Sequence, residues 1–282
     1  MRKIPLLLLP TLLASHALGQ DQEPAIPEAK VRWEVSIEPA AWFVGAGGSV
    51  KLPRSSGASP AKTQITDLNM DGTQLTPAGE VNLRRGSWGA QVRGFVFSTT
   101  NTASGTLAGP IGDVDLTPSD SVESTLDLSA FEIEGTYRLW HTDRAPLDGG
   151  GHNLHVDFDL VFGARLYDVE WAVQRLTMGG SPIADSVSET YLEPLLGAKL
   201  RLEINEQFDV DVQLTGGGLP LGDHSSISVD VMAGFGWRPH ENLGVQVGYR
   251  QLAFILEDGA GSEEFRYVGA LAGLYFGVVF RF

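Results

Sequence analysis

The chain has 282 residues, of which 20 are basic and 35 acidic, and it contains no cysteine. The absent cysteine excludes a disulfide framework, thiolate chemistry and every cysteine-based metal site. A formal net charge of −15 argues against nucleic acid as a partner, because phosphate binding is driven by clustered Lys and Arg.

Arg2 and Lys3 precede an apolar run from Ile4 to Leu13, and the small residues Ala14, Ala17 and Gly19 follow. This pattern predicts a secretory signal peptide over residues 1–19. Its removal takes two basic residues and no acidic one, deepening the charge from −15 to −17. The run is too short, and too broken by Pro5 and Pro10, to cross a bilayer as a helix, and no later segment offers about 20 successive apolar residues. Residues 20–30, QDQEPAIPEAK, are charged and proline-bearing and predict a disordered periplasmic lead-in. Residues 31–282 are expected to form one domain.

From Val31 onward the hydrophobic period becomes two. Val31, Trp33, Val35, Ile37, Pro39, Ala41 and Phe43 alternate with Arg32, Glu34, Ser36, Glu38, Ala40 and Trp42. The rhythm returns at about 74–85, 87–98, 123–139, 152–173, 186–204, 207–216, 226–238, 242–255 and 264–282, which makes ten strands. In the last of these, Leu274, Phe276, Val278, Phe280 and Phe282 share one face. Tight turns such as Arg85-Gly86-Ser87 and Asn205-Glu206 predict an antiparallel meander. Segments 44–73, 99–122, 174–185, 217–225 and 256–263 are long and rich in Gly, Ser, Thr and Asp. The turns between them are tight except at His141 to Gly151.

Alternating short and long connections match outer-membrane barrels, whose periplasmic turns are short and whose outer loops are long. The fold class expected is therefore all-β: a closed antiparallel up-and-down transmembrane β-barrel of about 10 strands, with 8 or 12 as neighbouring solutions. Trp33, Trp88, Tyr137, Trp140, Phe208, Trp237, Phe280 and Phe282 fall at periplasmic strand ends, as an aromatic girdle requires, and Trp171, Phe254 and Tyr267 are candidates for the opposite girdle. A secreted β-sandwich is the competing fold, since its strands also alternate. Pro39 and Pro194, inside proposed strands, each remove a ladder hydrogen bond and predict bulges.

The aromatic terminus resembles the C-terminal signal of outer-membrane barrels, in which a final Phe on an alternating strand is recognised by the barrel-insertion machinery. Phe276, Phe280 and Phe282 carry that resemblance. Residues 192–254 carry a further one, through Gly197-Ala198-Lys199, Gly216-Gly217-Gly218, Gly234-Phe235-Gly236-Trp237-Arg238 and Gly248-Tyr249-Arg250. Together with Leu83 to Gly89 and Gly163-Ala164-Arg165, they resemble a family of bacterial outer-membrane β-barrel proteins, the OmpA/OmpW-like small barrels. The family pattern more often has Tyr at the position of Trp237. The resemblance implies a fold and an outer-membrane location and no reaction.

The inward face of the strands gathers charge of both signs: Glu34, Glu38, Glu80, Arg84, Arg93, Glu132, Arg138, Asp157, Arg165, Glu193, Lys199, Arg201, Asp211, Arg238 and Arg250, with Glu134, Asp159, Glu203, Asp209, Asp230 and Arg281 on the same parity. Unpaired charge in a narrow lumen is costly, so a network of salt bridges is the expected arrangement. A narrow ion path is the alternative. Asp223-His224 lies near the outer rim, where an outer-membrane protease would need an Asp-His couple beside paired acids, but Asp209 and Asp211 begin their strand at the other end. His224-Ser225-Ser226 has a spacing a lipid-modifying hydrolase could use, without an evident third group. His152 and His155 share one strand face poorly, and Asp115, Asp120 and Asp127 lack the spacing of a calcium loop. The chain is therefore expected to have no catalytic residues, no metal and no cofactor. The expected role is structural or surface-interactive, as a monomer contacting outer-membrane lipid, lipopolysaccharide and the insertion machinery.

Overall fold

The computed structural model describes residues 32–55, 61–105, 107–142, 154–176, 183–205 and 207–282. The expected signal peptide and lead-in, and His152, lie outside the described residues. Ten long strands form the barrel: β1 (Trp33–Lys51), β2 (Gln74–Arg85), β3 (Trp88–Ser104), β4 (Ser121–His141), β5 (Leu154–Leu176), β6 (Ile183–Ile204), β7 (Phe208–Leu221), β8 (His224–His240), β9 (Leu243–Asp258) and β10 (Phe265–Arg281). Each pairs antiparallel with its neighbours in sequence, and β10 returns to β1, so the ladder is closed. The fold class read from the alternation is the fold observed.

Closure matters because hydrocarbon offers no partner to a backbone N–H or C=O, so a sheet with free edges is not viable there. The seam runs from Ser36↔Arg281 to Lys51↔Arg266. The terminal residue is pinned into it: Phe282 N–H donates to the Val35 carbonyl at 2.9 Å and Val35 N–H donates to the Phe282 carbonyl at 3.3 Å. Near its outer end Gly48 adopts φ +117 against the Val268 carbonyl, a conformation and an approach that a side chain would not tolerate.

The strands reach further outward than the alternation alone predicts. The Gly216-Gly217-Gly218 run, read as the start of an outer connection, lies inside β7, and the expected segment 217–225 shrinks to a turn at Gly222 and Asp223. Gly222 at φ +64 makes that turn possible. The bulges expected at the prolines are corrected too. Pro39 faces Gly79, and Pro194 faces Ala164, without a register shift. The missing donors are accommodated by interrupted pairing: the β1–β10 ladder skips Glu38 and Pro39, and the β6–β7 ladder stops at Leu195↔Gly217, one residue short of Pro194. The register shifts occur instead at Arg138/Trp140 and Trp237/His240, near periplasmic strand ends.

The polarity of the two faces inverts partway up the barrel. On β4, Phe131 and Ile133 face outward while Glu132 and Glu134 are buried within; one turn of the pleat higher, Asp127 and Ser129 face outward while Leu126, Leu128 and Ala130 are buried. On β5 the switch falls between Leu166, outward, and Tyr167, inward, with Asp168 and Glu170 outward above it. Where lipid must be contacted, apolar residues point out and charge is left for the lumen. Above that level water wets the outside, and the interior becomes an ordinary hydrophobic core.

This core is a correction to the aromatic assignment. Trp171, Phe254 and Tyr267, candidates for an outer lipid girdle, are buried inside, with Trp171 and Tyr267 each 0% exposed. Their rings pack edge to face, Trp171–Tyr267 at 5.5 Å and Phe254–Tyr267 at 4.9 Å between centroids. Parity decided this: Trp171 shares a face with Val169 and Val173. Loop residues Leu52, Ile65, Leu68 and Met70, and a hairpin (Gly109–Ile111 with Val114–Leu116), add their apolar side chains to the same cluster. At the opposite strand ends, where the other girdle is expected, all eight aromatic residues are exposed outward.

Truncating Trp171 to Ala should leave a cavity in this core and cost about 3–5 kcal/mol. A lowered urea midpoint of the detergent-refolded barrel would read it. Ser98→Ala, on the exposed outer face, should stay within about 0.5 kcal/mol of the parent.

Candidate functional site

Strand parity sends a charged side chain inward from nearly every strand, and the closed barrel stacks these into levels. Arg93, Glu132, Arg165, Glu193 and Arg250 meet at mid-height with Glu134 and Asp230. Arg165, 0% exposed, bridges Glu132 at 3.2 Å, Glu193 at 3.3 Å and Asp230 at 3.2 Å. Arg250 binds Glu132 and Asp230, each at 2.7 Å. Arg93 binds Glu132 at 2.7 Å and reaches Glu134 as well. Neutral groups that sequence reasoning did not single out complete the layer. Arg165 donates to Ser228 Oγ at 2.6 Å, Tyr167 Oη at 3.1 Å and Thr215 Oγ1 at 3.3 Å, and Gln213 donates to Glu134 at 3.0 Å. Their only sequence signal was inward parity.

Nearer the periplasm the paired side chains are more exposed. Arg84 binds Asp159, Arg138 binds Asp157 at 3.0 Å, Arg201 binds Asp211 at 2.8 Å, and Arg238 binds Glu203. Glu38 accepts from Ser36 at 2.6 Å and Asn82 at 3.1 Å, and Asn82 also donates to Glu80 at 2.6 Å. Glu34 and Lys199 line a cavity of about 340 Å³ beside Arg201 and Arg281. His155 meets Asp157 at 3.1 Å. Phe276, Phe280 and Phe282 all point outward, Phe282 being 72% exposed.

The ion layer is capped from above by aromatic rings. The Arg250 guanidinium sits 5.3 Å from the Trp42 ring centroid and 5.2 Å from that of Phe95. Its cation–π contacts join the charged level to the apolar core that fills the outer half.

A second constellation lies at the outer rim, above that core. His224 opens β8, Asp258 ends β9 and Glu189 belongs to β6, and all three share the inward parity of their strands. His224 Nδ1 and Asp258 Oδ1 are 2.7 Å apart, so the acid that pairs with His224 is Asp258 and not its chain neighbour Asp223. The Tyr191 ring stacks flat on the imidazole at 4.5 Å, with 9° between planes. Ligand atoms of Glu189, His224 and Asp258 all lie within 4.8 Å of one another. Among the described residues no hydrogen bond joins His224 to Ser226, so the spacing of His224 and Ser226 does not become a contact. Asp209 and Asp211 stand at the periplasmic start of β7, away from His224. Elsewhere on the outer face Asp115 binds Arg54 at 2.7 Å, and the Thr117 N–H and hydroxyl hold the Asp120 carboxyl below its usual range.

No protein-family model matches the chain, and no curated protein matches its sequence. Solved structures are similar in shape. The outer membrane protease OmpT from Escherichia coli is similar with a TM-score of 0.52 at 8% identity, over 88% of this chain and 97% of that one. Neisserial surface protein A matches at 13% identity over 88% and 97%, with a TM-score of 0.34. Ail of Yersinia pestis, in complex with the heparin analogue sucrose octasulfate, matches at 13% identity over 89% and 99%, with a TM-score of 0.34. At such identities the likeness is one of fold, and the fold is that of an outer-membrane β-barrel.

Arg165→Met should leave Glu193 without a cation, take one of several cationic partners from Glu132 and Asp230, and cost about 3–5 kcal/mol. The measurement is the urea midpoint in detergent. Pairing it with Glu132→Gln should recover part of the loss, because the uncompensated charge is then smaller.

Proposed function

We propose that the protein is exported to the outer membrane and acts there as a closed barrel with a structural or surface-interactive role, its outer end presented to lipopolysaccharide, neighbours or host molecules. The observation that carries this reading is the stacking of a buried arginine–carboxylate layer beneath an apolar core. Together they fill the lumen from mid-height to the outer rim. A fixed ion-pair layer favours rigidity over transport, since ions crossing it would have to break charge-assisted hydrogen bonds in a poorly hydrated interior. Membership among the OmpA/OmpW-like small barrels, a monomeric state and recognition of Phe276, Phe280 and Phe282 by the insertion machinery are parts of the same proposal.

A small channel is the alternative, with the cavity beside Lys199 and Arg201 as its periplasmic mouth. An outer-membrane hydrolase is a third reading, and the His224–Asp258 pair speaks for it, since a carboxylate that orients an imidazole is how a general base is prepared. Among the described residues no serine or threonine hydroxyl is hydrogen-bonded to that imidazole.

Planar-bilayer recordings on the refolded protein, with heat-dependent gel mobility as the fold check, test the proposal. A folded and silent barrel is the expected result. Stable conductance steps that change with Arg201→Ala would replace it with the channel, and a cleavage product lost with His224→Ala would replace it with the hydrolase.

A further inference from the structure

The outer rim holds a cluster that the closed-barrel role leaves unused. Glu189, His224 and Asp258 come from three different strands, and their ligand atoms converge to within 4.8 Å. Around a bound divalent ion with bonds of about 2.0–2.2 Å, ligand atoms sit roughly 3–4 Å apart. Small side-chain rotations would therefore close the three onto one centre. The His224–Asp258 contact accounts for one acid, whereas Glu189 makes no hydrogen bond or ion pair to another described side chain.

A second observation points the same way. Tyr191 is 1% exposed, yet its Oη has no hydrogen-bond partner. Its ring lies flat on the His224 imidazole at 4.5 Å, two residues along β6 from Glu189 and on the same inward face. A buried hydroxyl without a partner is unfavourable, and a ligand at the site would give it one. The cluster also has a structural cause. The β6–β7 ladder ends at Leu195↔Gly217, just before Pro194, which has no N–H to offer. Beyond that point the outer run of β6 is released from β7, and Tyr191 meets the first residue of β8 directly, ring on ring.

We propose that Glu189, His224 and Asp258 form a binding site for a divalent transition-metal ion of the zinc type at the outer rim of the barrel, with the Tyr191 hydroxyl donating to a bound carboxylate or water. One imidazole with two carboxylates is a nitrogen and oxygen donor set that suits zinc, whereas calcium and magnesium prefer oxygen alone. The flat Tyr191 ring fixes the imidazole plane, and the apolar core below holds the ring. This goes beyond the closed-barrel role, which stands with or without a metal.

Co2+ is the probe, titrated into the metal-free, detergent-refolded protein while its visible ligand-field absorption is recorded. One equivalent should develop the band and one equivalent of Zn2+ should abolish it. His224→Ala should remove the band, and Glu189→Gln should weaken binding at least tenfold. Heat-dependent gel mobility checks the fold of each variant, and Glu189→Gln keeps the test valid if His224→Ala fails to refold. The proposal is overturned by a folded parent that develops no band, by undiminished binding in folded variants, or by Mg2+ or Ca2+ competing as well as Zn2+.

Discussion

Hydrocarbon cannot hydrogen-bond a backbone, and the rest of the molecule depends on how the chain meets that constraint. Ten strands close edge to edge, and the seam between β1 and β10 is held to the last residue by the paired bonds of Val35 and Phe282. Once the ladder closes, every second side chain is committed to lipid and the remainder to a narrow lumen. The apolar outward rows and the charged inward rows are two consequences of one geometry.

The same geometry explains why the interior changes character with height. Inside the lipid-facing band the lumen holds charge, and burial then requires that charge to be paired and hydrogen-bonded. Arg165 meets this with partners from β4, β5, β6, β7 and β8, so the layer ties together strands far apart in sequence. Above the band the outer surface is polar and the lumen closes with Trp, Tyr, Phe and Leu, as a soluble β-protein would. Arg250 stands at the boundary, ion-paired on one side and facing two aromatic rings on the other. The barrel thus resembles a transmembrane cylinder continuous with a water-soluble cap.

Proline shapes the rim. A residue without an N–H cannot extend a ladder, and at Pro194 the outer run of β6 parts from β7. The separation lets Tyr191 stack on His224, while the tight turn at Gly222 sets His224 across from Asp258. Three acids and bases from distant parts of the chain thereby share one small space.

Much of this was legible in residues alone. The period of two, the turn chemistry and the spacing of connections pointed to about ten strands, with 8 or 12 left open, to antiparallel closure and to the inward or outward parity of nearly every charge, because side-chain direction in a strand follows from counting. The periplasmic girdle followed for the same reason. Parity does not say how high on the barrel a residue stands, and height decides what lies outside it. Trp171, Phe254 and Tyr267 therefore looked suited to lipid until the structure turned them into a core. Nor does parity say who meets whom across the lumen: Ser228 and Thr215 carry no signal until the barrel brings them to Arg165. His224 was visible as a rim residue, but its partner was sought next to it in the chain and found on another strand. Sequence determined the strands, their faces and their order; curvature, stagger and closure, which depend on all ten strands at once, decided which side chains touch.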